Sequence, residues 1–331
     1  MIQAFDYAGS PARVIFGNGA QSRTGEMIRD LGCKRALILT TPFQAGAGEA
    51  LASELGELCV GVYSNATMHT PIEVTDEAMA MVNETGADCT IALGGGSTTG
   101  LGKAIAYRTD LPQVVIPTTY AGSEVTPILG QTENEIKTTV KDPKILPEVV
   151  IYDPTLTVGL PLDMTITSAM NAVAHAVEAL YARDRNPISS LMASEGIKAI
   201  LQALPALRDN PEDLSARSDA LYGAWLCGSV LGSVGMALHH KLCHILGGTF
   251  DLPHAETHTV ILPHATAFNA AAVPELLTPV ADALGVEKPG LGLFELAQSI
   301  GAPTTLKELG MPEDGIDRAA ELAFANPYWN P

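Results

Sequence analysis

The segment Ile91-Ala92-Leu93-Gly94-Gly95-Gly96-Ser97-Thr98 is the most informative part of this chain for predicting its fold. An apolar run ends in glycines, and a helical pattern follows from Thr98 to Tyr107. Glycines between a strand and a helix let the backbone approach a diphosphate, and a helix N-terminus offers free N–H groups and partial positive charge. The stretch predicts a phosphate-binding strand–turn–helix unit. The alternative is a plain tight turn, because the spacing is not Gly-x-Gly-x-x-Gly.

Apolar runs around this unit predict further strands, and a helical pattern spans residues 73–85. Strands that alternate with helices indicate a parallel sheet covered on both faces. The first half is therefore expected to be an α/β dinucleotide-binding domain over residues 1–157. The four predicted strands are Arg35–Thr40, Asp88–Leu93, Gln113–Pro117 and Val149–Tyr152.

The second half has a different pattern. Long Ala- and Leu-rich helical stretches run from Met164 to Ala325 without strand alternation. This predicts an all-α catalytic domain over residues 158–331, in which Trp225–Leu238 is a closely packed helix. The aromatic-rich segment Asn326–Pro331 is unusual at a chain end and favours a further helix beyond it.

Composition excludes several function classes. The 331 residues carry a formal net charge of −18, which repels phosphate backbones and anionic lipid, so no nucleic-acid or membrane partner is expected. The five cysteines are scattered without a Cys-x-x-Cys pair, which disfavours a disulfide framework and a thiolate zinc site. No signal peptide or membrane-spanning run is evident. We expect a soluble cytoplasmic protein.

A second candidate ligand loop, Pro117–Thr126, follows the next predicted strand. Open α/β sheets bind ligands at the carboxyl ends of their strands, and clustered hydroxyls there can hold a ribose or an amide. Taken alone, this loop is better explained as a structural turn than as a ligand site. Together, the two loops favour a dinucleotide.

The histidines form the strongest pattern. Six of eight lie between residues 239 and 264, and a seventh is His175. His240 and His244 share one helix face, as do Asn171 and His175, and His254 follows a proline at a predicted helix start. A lone buried histidine is usually a core residue, but four from three segments favour an acid–base or metal site. Three others (His239, His258, His264) are interpreted as structural or supporting, and His69 as a loop residue.

These motifs in this order resemble the iron-containing alcohol dehydrogenase family, with its dehydroquinate-synthase-like fold. The segments Thr118–Gly130 and Asn326–Pro331 are similar to one branch of the family, which reduces a carbon–carbon double bond conjugated to a ketone in a small dicarboxylate. The matching motifs are Gly94–Ser97, Thr118–Thr119, Gly122–Thr126, Asp153–Pro154, Asn171–Glu178, His240–His244 and Pro253–His254.

Two departures from the metal-dependent members bear on chemistry. Those members carry an aspartate where this chain has Asn171, so the anionic metal ligand is missing and a divalent metal is expected to be optional or absent. If one binds, its ligands would be His175, His240 and His254. NAD-selective relatives carry an aspartate at the position that we assign to Thr40, so NADH and NADPH are both expected.

The resemblance implies roles for the remaining candidates. Catalysis and substrate binding fall to Asn171, His175, His240, His244 and His254, with Lys241 as a further cation for the dicarboxylate. Lys137 resembles a cofactor-contacting lysine, although Lys141 competes with it. The implied cofactor contacts are Thr40, Gly94, Gly95, Gly96, Ser97, Thr98, Thr118, Thr119, Tyr120, Ser123, Val125, Lys137, Leu156 and Gly159.

Three rival interpretations remain open at this point. The first is a metal-dependent alcohol or aldehyde dehydrogenase of the same family, and the second is a cyclising lyase of the dehydroquinate synthase kind. The third is a nucleotide-binding sensor without turnover, which converging imidazoles disfavour. A homodimer is the family expectation.

Overall fold

The structure is a computed structural model that describes residues 5, 7, 9, 12–133 and 136–331. Its contacts group into two compact units. One unit comprises Ser10–Thr119 and Ser123–Gly159, and the other comprises residues 1–9, Tyr120–Gly122 and Leu160–Pro331. The break at 159/160 lies two residues after the predicted boundary. The grouping of Tyr120–Gly122 with the second unit was not predicted.

The first unit is the predicted α/β domain. Its described strands form a parallel sheet of order β1-β8-β5-β4-β2-β3 and a separate antiparallel hairpin β6–β7. The strands are β1 (Arg13–Phe16), β2 (Ala36–Leu39), β3 (Cys59–Tyr63), β4 (Cys89–Gly94), β5 (Gln113–Pro117), β6 (Ile128–Glu133), β7 (Ile136–Lys141) and β8 (Val149–Tyr152). The helices are α1 (Thr24–Asp30), α2 (Ala45–Leu55), α3 (Ile72–Thr85) and α4 (Gly96–Thr109).

Strand alternation builds a core on each face of this sheet. Ile38 and Ile91 pack with Met27 of α1 and Leu51 of α2. Leu37 and Leu39, which point the other way along β2, pack with residues of α3 and α4. Each fully buried Leu or Ile side chain contributes roughly 1.5–3 kcal/mol. Both faces are therefore covered by helices, as the near-continuous apolar strands predicted.

The four predicted strands are present, whereas β1, β3 and the β6–β7 hairpin were missed. The missed edge strand β3 is partly buried and carries Gly61, so its pattern is weak. Adjacent strands β5, β4 and β2 end side by side in the sheet order. Their carboxyl ends bring together the segments that start at Thr118, Gly94 and Thr40, which is the edge where such sheets bind ligands.

The second unit is helical in its described elements. Its central helix is α5, whose residues from Thr165 to Tyr181 are all buried. The helices are α5 (Leu162–Tyr181), α6 (Pro187–Asp209), α7 (Leu214–Ser233), α8 (Leu238–Phe250), α9 (His254–Ala270), α10 (Thr278–Leu284), α11 (Pro289–Ser299) and α12 (Gly315–Ala325).

The predicted helix Trp225–Leu238 is wrong, because α7 ends at Ser233 and α8 begins at Leu238. The chain is extended at Val234, and the Gly235 N–H donates to Asp184. This hydrogen bond stabilises the non-helical segment between α7 and α8. Among the described residues no single helix is long and apolar enough to cross a membrane. Only α7 and α8 taken together, with a 93° bend between them, reach that length and composition.

Candidate active site

The glycine turn has the geometry of a phosphate cradle. Gly94 has φ +148°, and a Cβ there would lie 2.8 Å from Thr98 Oγ1. A Cβ on Gly95 would lie 2.8 Å from Thr119 Cγ2, whereas one on Gly96 would meet nothing within 4 Å. Helix α4 begins at Gly96 with no side-chain cap. The first turn therefore has no capping side chain and has open space beside Gly96, which fits the diphosphate of a dinucleotide.

The loop Pro117–Thr126 follows β5 and is called the hydroxyl loop below. It lies beside this glycine turn. Thr118 N–H donates to the Gly94 carbonyl at 2.9 Å, and Thr118 Oγ1 accepts from Gln44 Nε2 at 2.9 Å. Thr119 and Ser123 are partly exposed, and Ser123 Oγ accepts a hydrogen bond from Lys103 Nζ at 3.2 Å. These contacts bring Gly94–Ser97, Thr118 and Thr119 together, as predicted.

Four predicted cofactor residues have side chains that are fully or almost fully enclosed by protein. They are Thr40, Thr98, Tyr120 and Val125. Thr98 Oγ1 donates to the Gly95 carbonyl and so supports the turn rather than a ligand. Thr40 points to α2, where its Cγ2 would lie 2.9 Å from a Cβ on Gly48. The neighbouring Thr41, one residue later, is partly exposed, and its Oγ1 donates to Gln44 Oε1 at 3.2 Å.

Three other cofactor predictions have mixed outcomes. The side chain of Lys137 lies outside the described residues, although its backbone belongs to β7. Leu156 packs partly against the apolar core beside α1 and α2. Gly159 is exposed. These positions lend the predicted cofactor site no further support.

A buried lysine, which the sequence analysis missed, anchors the hydroxyl loop. Lys103 of α4 is fully buried, and its Nζ donates to Thr126 Oγ1 at 3.0 Å, to the Ile128 carbonyl at 2.9 Å and to the Ser123 carbonyl. Burial lowers the pKa of Lys103 to about 7, while nearby Glu124 raises it. The signal was present in the sequence, since a single lysine interrupts the small and apolar residues of Leu101–Ala106.

The helical unit contains a chain of polar contacts that begins at Glu178. Its Oε2 lies 2.7 Å from His240 Nδ1, and His240 Nε2 lies 2.8 Å from His175 Nδ1. A carboxylate that holds one nitrogen of an imidazole fixes the orientation of the ring. Burial lowers the pKa of His175 well below its usual value, as do the neighbouring His240 and His254. His175 is therefore a neutral partner for His240.

Glu178 also begins α8. The carboxylate accepts from Ala237 N–H at 2.8 Å and from His239 N–H at 2.7 Å, at a helix start where no local side chain caps the backbone. Burial raises the pKa of Glu178. The hydrogen bond and the electrostatic interaction with His240 lower this pKa by more, so that it lies at about 2. The carboxylate is thus ionised at neutral pH.

His239 and His258 were interpreted as supporting residues, and the structure places both inside the cluster. His239 Nε2 lies 2.9 Å from His258 Nδ1, and the His258 ring stands 4.4 Å from that of His254. Burial lowers the pKa of His239 to about 3 and lowers that of His258 well below its usual value. His239 Nδ1 and His258 Nε2 find no hydrogen-bond partner within the described ranges.

Cys243 lies 3.6 Å from His239 Nε2 and completes a His–Cys–His group. A metal-bound imidazole normally donates its other N–H to an acceptor. The outer nitrogens of His239 and His258 have no such acceptor among the described residues. The group is therefore better described as a hydrogen-bonded histidine pair.

The exposed part of the cluster carries the candidate cations. His244 and His254 are exposed, and Lys241 is partly exposed. Tyr328 joins two of them, because its hydroxyl lies 3.1 Å from His244 Nδ1 and its ring centroid lies 5.1 Å from Lys241 Nζ. Tyr328 was not predicted as a site residue, although its aromatic-rich segment stands out in the sequence. The signal that could have indicated its role is a tyrosine, an aromatic residue with a polar hydroxyl, close to the end of the chain.

The donor set fits a divalent metal poorly. Asn171 and His175 share a face of α5, as predicted, but Asn171 is a neutral amide whose buried Oδ1 has no partner among the described residues. His175 Nδ1 and His240 Nε2 are in direct hydrogen-bond contact, which uses a lone pair that a metal would need. The carboxylate of Glu178 is occupied by His240 and the start of α8. We therefore derive no catalytic step through a metal.

The Tyr120–Gly122 segment is held by a buried arginine that the sequence analysis also missed. Arg217 Nη1 lies 3.2 Å from the Tyr120 hydroxyl and 2.8 Å from Thr165 Oγ1. Gly122 has φ +76°, and a Cβ there would lie 2.8 Å from Gly228 Cα. Close backbone packing and a buried guanidinium explain why this segment groups with the helical unit.

Comparisons with known proteins agree with this geometry. An iron-containing alcohol dehydrogenase model matches residues 11–154, and the C-terminal model of the Fe-containing alcohol dehydrogenase family matches residues 165–331. The maleylacetate reductase of a Rhizobium species is 60% identical over 330 residues, covering 100% of this chain and 94% of that protein. A maleylacetate reductase of Sphingobium indicum is 57% identical over 327 residues, covering 99% and 93%.

A solved structure of a maleylacetate reductase from Agrobacterium tumefaciens superimposes with a TM-score of 0.97 at 61% identity, covering 99% of this chain and 93% of that one. Both units therefore have counterparts throughout a known fold. The chain belongs to the iron-containing alcohol dehydrogenase family.

Proposed function

We propose that this chain reduces the carbon–carbon double bond of maleylacetate with NADH or NADPH, giving 3-oxoadipate in the catabolism of aromatic compounds. The observation that carries the proposal is 60% identity over the whole chain to a maleylacetate reductase. The cradle at Gly94–Ser97 and the imidazole cluster supply the two kinds of site that such a reaction needs.

The nicotinamide cofactor, when bound, supplies a hydride to the alkene carbon that lies β to the ketone. Its diphosphate would be held by the first turn of α4 and by the hydroxyls of Thr118 and Thr119. The partly exposed Thr41 at the end of β2 puts no carboxylate beside the adenosine ribose, so a 2′-phosphate meets no repulsion there.

Hydride addition moves negative charge onto the ketone oxygen, and the adjacent carbon must then take a proton. The exposed imidazoles of His244 and His254 are suited to stabilise this oxygen, because both ring nitrogens of the buried His240 are already engaged by Glu178 and His175. His175 contacts His240 and can pass a proton to or from it. This division of roles requires the fixed geometry of α5 against the start of α8.

The substrate is a dianion, and the chain has a net charge of −18. Local cations must therefore offset both charges. Lys241, His244 and His254 are the polar side chains on the accessible part of the cluster, and Asn171 adds no negative charge. An aspartate at position 171 would repel a bound carboxylate.

The decisive experiment follows the oxidation of NADH and of NADPH with maleylacetate, before and after treatment with a chelator. We expect turnover with both cofactors, 3-oxoadipate as the product by NMR, and activity that survives chelation. Turnover of simple aldehydes alone, abolished by chelation and restored by iron or zinc, would instead support a metal-dependent alcohol or aldehyde dehydrogenase.

We further propose that the enzyme works in the cytoplasm as a homodimer. The five free thiols support a reducing compartment. Size-exclusion chromatography with light scattering tests the oligomeric state.

A further inference from the structure

The side chain of Gln44 crosses the carboxyl edge of the sheet. Gln44 ends the short 3-10 helix Pro42–Gln44 that follows β2. Its Oε1 accepts from Thr41 Oγ1 at 3.2 Å, and its Nε2 donates to Thr118 Oγ1 at 2.9 Å. One amide thus links the ends of β2 and β5, the two strands that flank β4 in the sheet.

The same amide lies over the glycine turn. A Cβ on Gly94, the last residue of β4, would stand 2.5 Å from Gln44 Oε1. The open space at the start of α4 begins two residues later, at Gly96. Gln44 is therefore next to the place where the uncapped N–H groups of α4 would meet a diphosphate.

The amide has hydrogen-bonding capacity to spare. A glutamine offers two N–H donors and two acceptor lone pairs, and the contacts to Thr41 and Thr118 use one of each. Gln44 is only partly buried, so the second N–H can reach a ligand. A neutral donor at this place attracts phosphate oxygens, whereas a carboxylate would repel them.

We propose that Gln44 binds the cofactor, donating its second amide N–H to phosphate oxygen, and that its lack of charge lets the site accept the 2′-phosphate of NADPH. The position supports this, because the adenosine ribose lies at the end of the second strand in sheets of this type. Thr41, its partner there, is also uncharged. The inference rests on the proposed use of a dinucleotide, and it assigns cofactor choice to a residue beyond the strand end itself.

The test measures the Kd of NADPH and of NADH by calorimetry, without substrate, so that it stands whether or not maleylacetate is reduced. Gln44→Glu keeps the shape of the side chain and adds one negative charge. We expect it to raise the Kd of NADPH about tenfold more than the Kd of NADH. Gln298→Glu adds the same charge on the exposed face of α11 and should leave both constants unchanged.

Gln44→Met separates hydrogen bonding from charge, because it retains length without a donor. We expect it to weaken both cofactors roughly threefold to tenfold and to leave their ratio nearly unchanged. The proposal is overturned by a Gln44→Glu protein whose NADPH-to-NADH ratio equals that of the parent, or by a parent that binds NADH but not NADPH. If Gln44→Glu fails to fold, unchanged constants in Gln44→Met overturn the hydrogen bond to the cofactor.

Discussion

The carboxylate of Glu178 lies 2.7 Å from Nδ1 of His240 and binds, through the same two oxygens, the N–H groups that begin α8. One side chain of α5 therefore starts a helix and orients an imidazole on it. Loss of this carboxylate affects both folding and catalysis, which makes it the most informative position to change.

Glu178→Gln is expected to reduce the free energy of unfolding by about 3 kcal/mol, because its amide nitrogen would face backbone donors in a buried site. Turnover should fall as well, since His240 loses the charge that orients it. Urea unfolding followed by steady-state kinetics measures both effects. Glu295→Gln, on the exposed face of α11, is the matched control. Unchanged stability would show that the carboxylate does not hold the start of α8.

Asn171→Asp is expected to raise the affinity for iron or zinc and to lower kcat/KM for maleylacetate by roughly tenfold or more. The new carboxylate would supply an anionic ligand beside His175 and would repel the dianionic substrate. Metal analysis after dialysis and steady-state kinetics test the two effects separately. Asn210→Asp adds the same charge at an exposed site and should do neither. An unchanged metal affinity would contradict the role assigned to Asn171.

Stability is expected to fall as the pH decreases from about 6.5. The folded-state pKa values of His175, His239 and His258 are all lowered by burial, so in this range the unfolded chain binds protons that the folded chain does not. Each group then costs up to about 1.4 kcal/mol per pH unit. Urea unfolding at several values between pH 7.5 and 5.5 measures the slope.

A His258→Gln protein supplies the control. Its free energy of unfolding should depend less steeply on pH, because one of the three titrating histidines is removed. A slope that is identical in the parent and in this variant would contradict the burial of a neutral imidazole at position 258.

Tyr328→Phe is expected to raise the KM for maleylacetate several-fold with little change in kcat, because His244 loses its hydroxyl partner while Lys241 keeps the ring. Tyr328→Leu removes both contacts and should have the larger effect. Stability should change by less than about 0.5 kcal/mol, since the ring is partly exposed. Phe324→Leu, on the exposed side of α12, serves as the comparison. Equal KM values in all four proteins would exclude Tyr328 from the site.

Gly96→Ala is expected to weaken dinucleotide binding without destabilising the protein. The added methyl meets no protein atom within 4 Å, but it enters the space at the start of α4. Calorimetric Kd values and thermal unfolding separate the two effects. Gly248→Ala in α8 is the control, because the added methyl there also meets no protein atom within 4 Å. We expect it to leave both dinucleotide binding and thermal unfolding unchanged. Normal cofactor affinity in Gly96→Ala would place the diphosphate elsewhere.

Short-range patterns carried much of the fold. The strand before Gly94 and the helix after it were readable because alternation and helical spacing repeat within a few residues. The same holds for Asn171 with His175 and for the start of α9 at His254. The edge strand β3 and the β6–β7 hairpin escaped prediction because partly exposed strands have weak patterns.

The direction in which a side chain points at the end of a strand was harder to predict from the sequence. A shift of one residue turns a side chain to the opposite face, and this is the difference between buried Thr40 and accessible Thr41. Tyr120 illustrates another limit. Its loop follows β5 in the chain, yet its hydroxyl bonds to Arg217 of α7, which no local pattern indicates.

Local patterns were enough to predict the succession of strands and helices, the glycine turn and the segments that carry the imidazoles, because each depends on neighbours a few residues apart. The packed structure was needed to show which nitrogens meet, that Glu178 begins α8 and orients His240, and that His239 and His258 enter the cluster. Those contacts join residues that are 19 to 65 positions apart in the chain and belong to different helices. These contacts depend on how the helices pack against one another. Helix packing is controlled by the burial of whole helix faces and not by the spacing of residues within one segment.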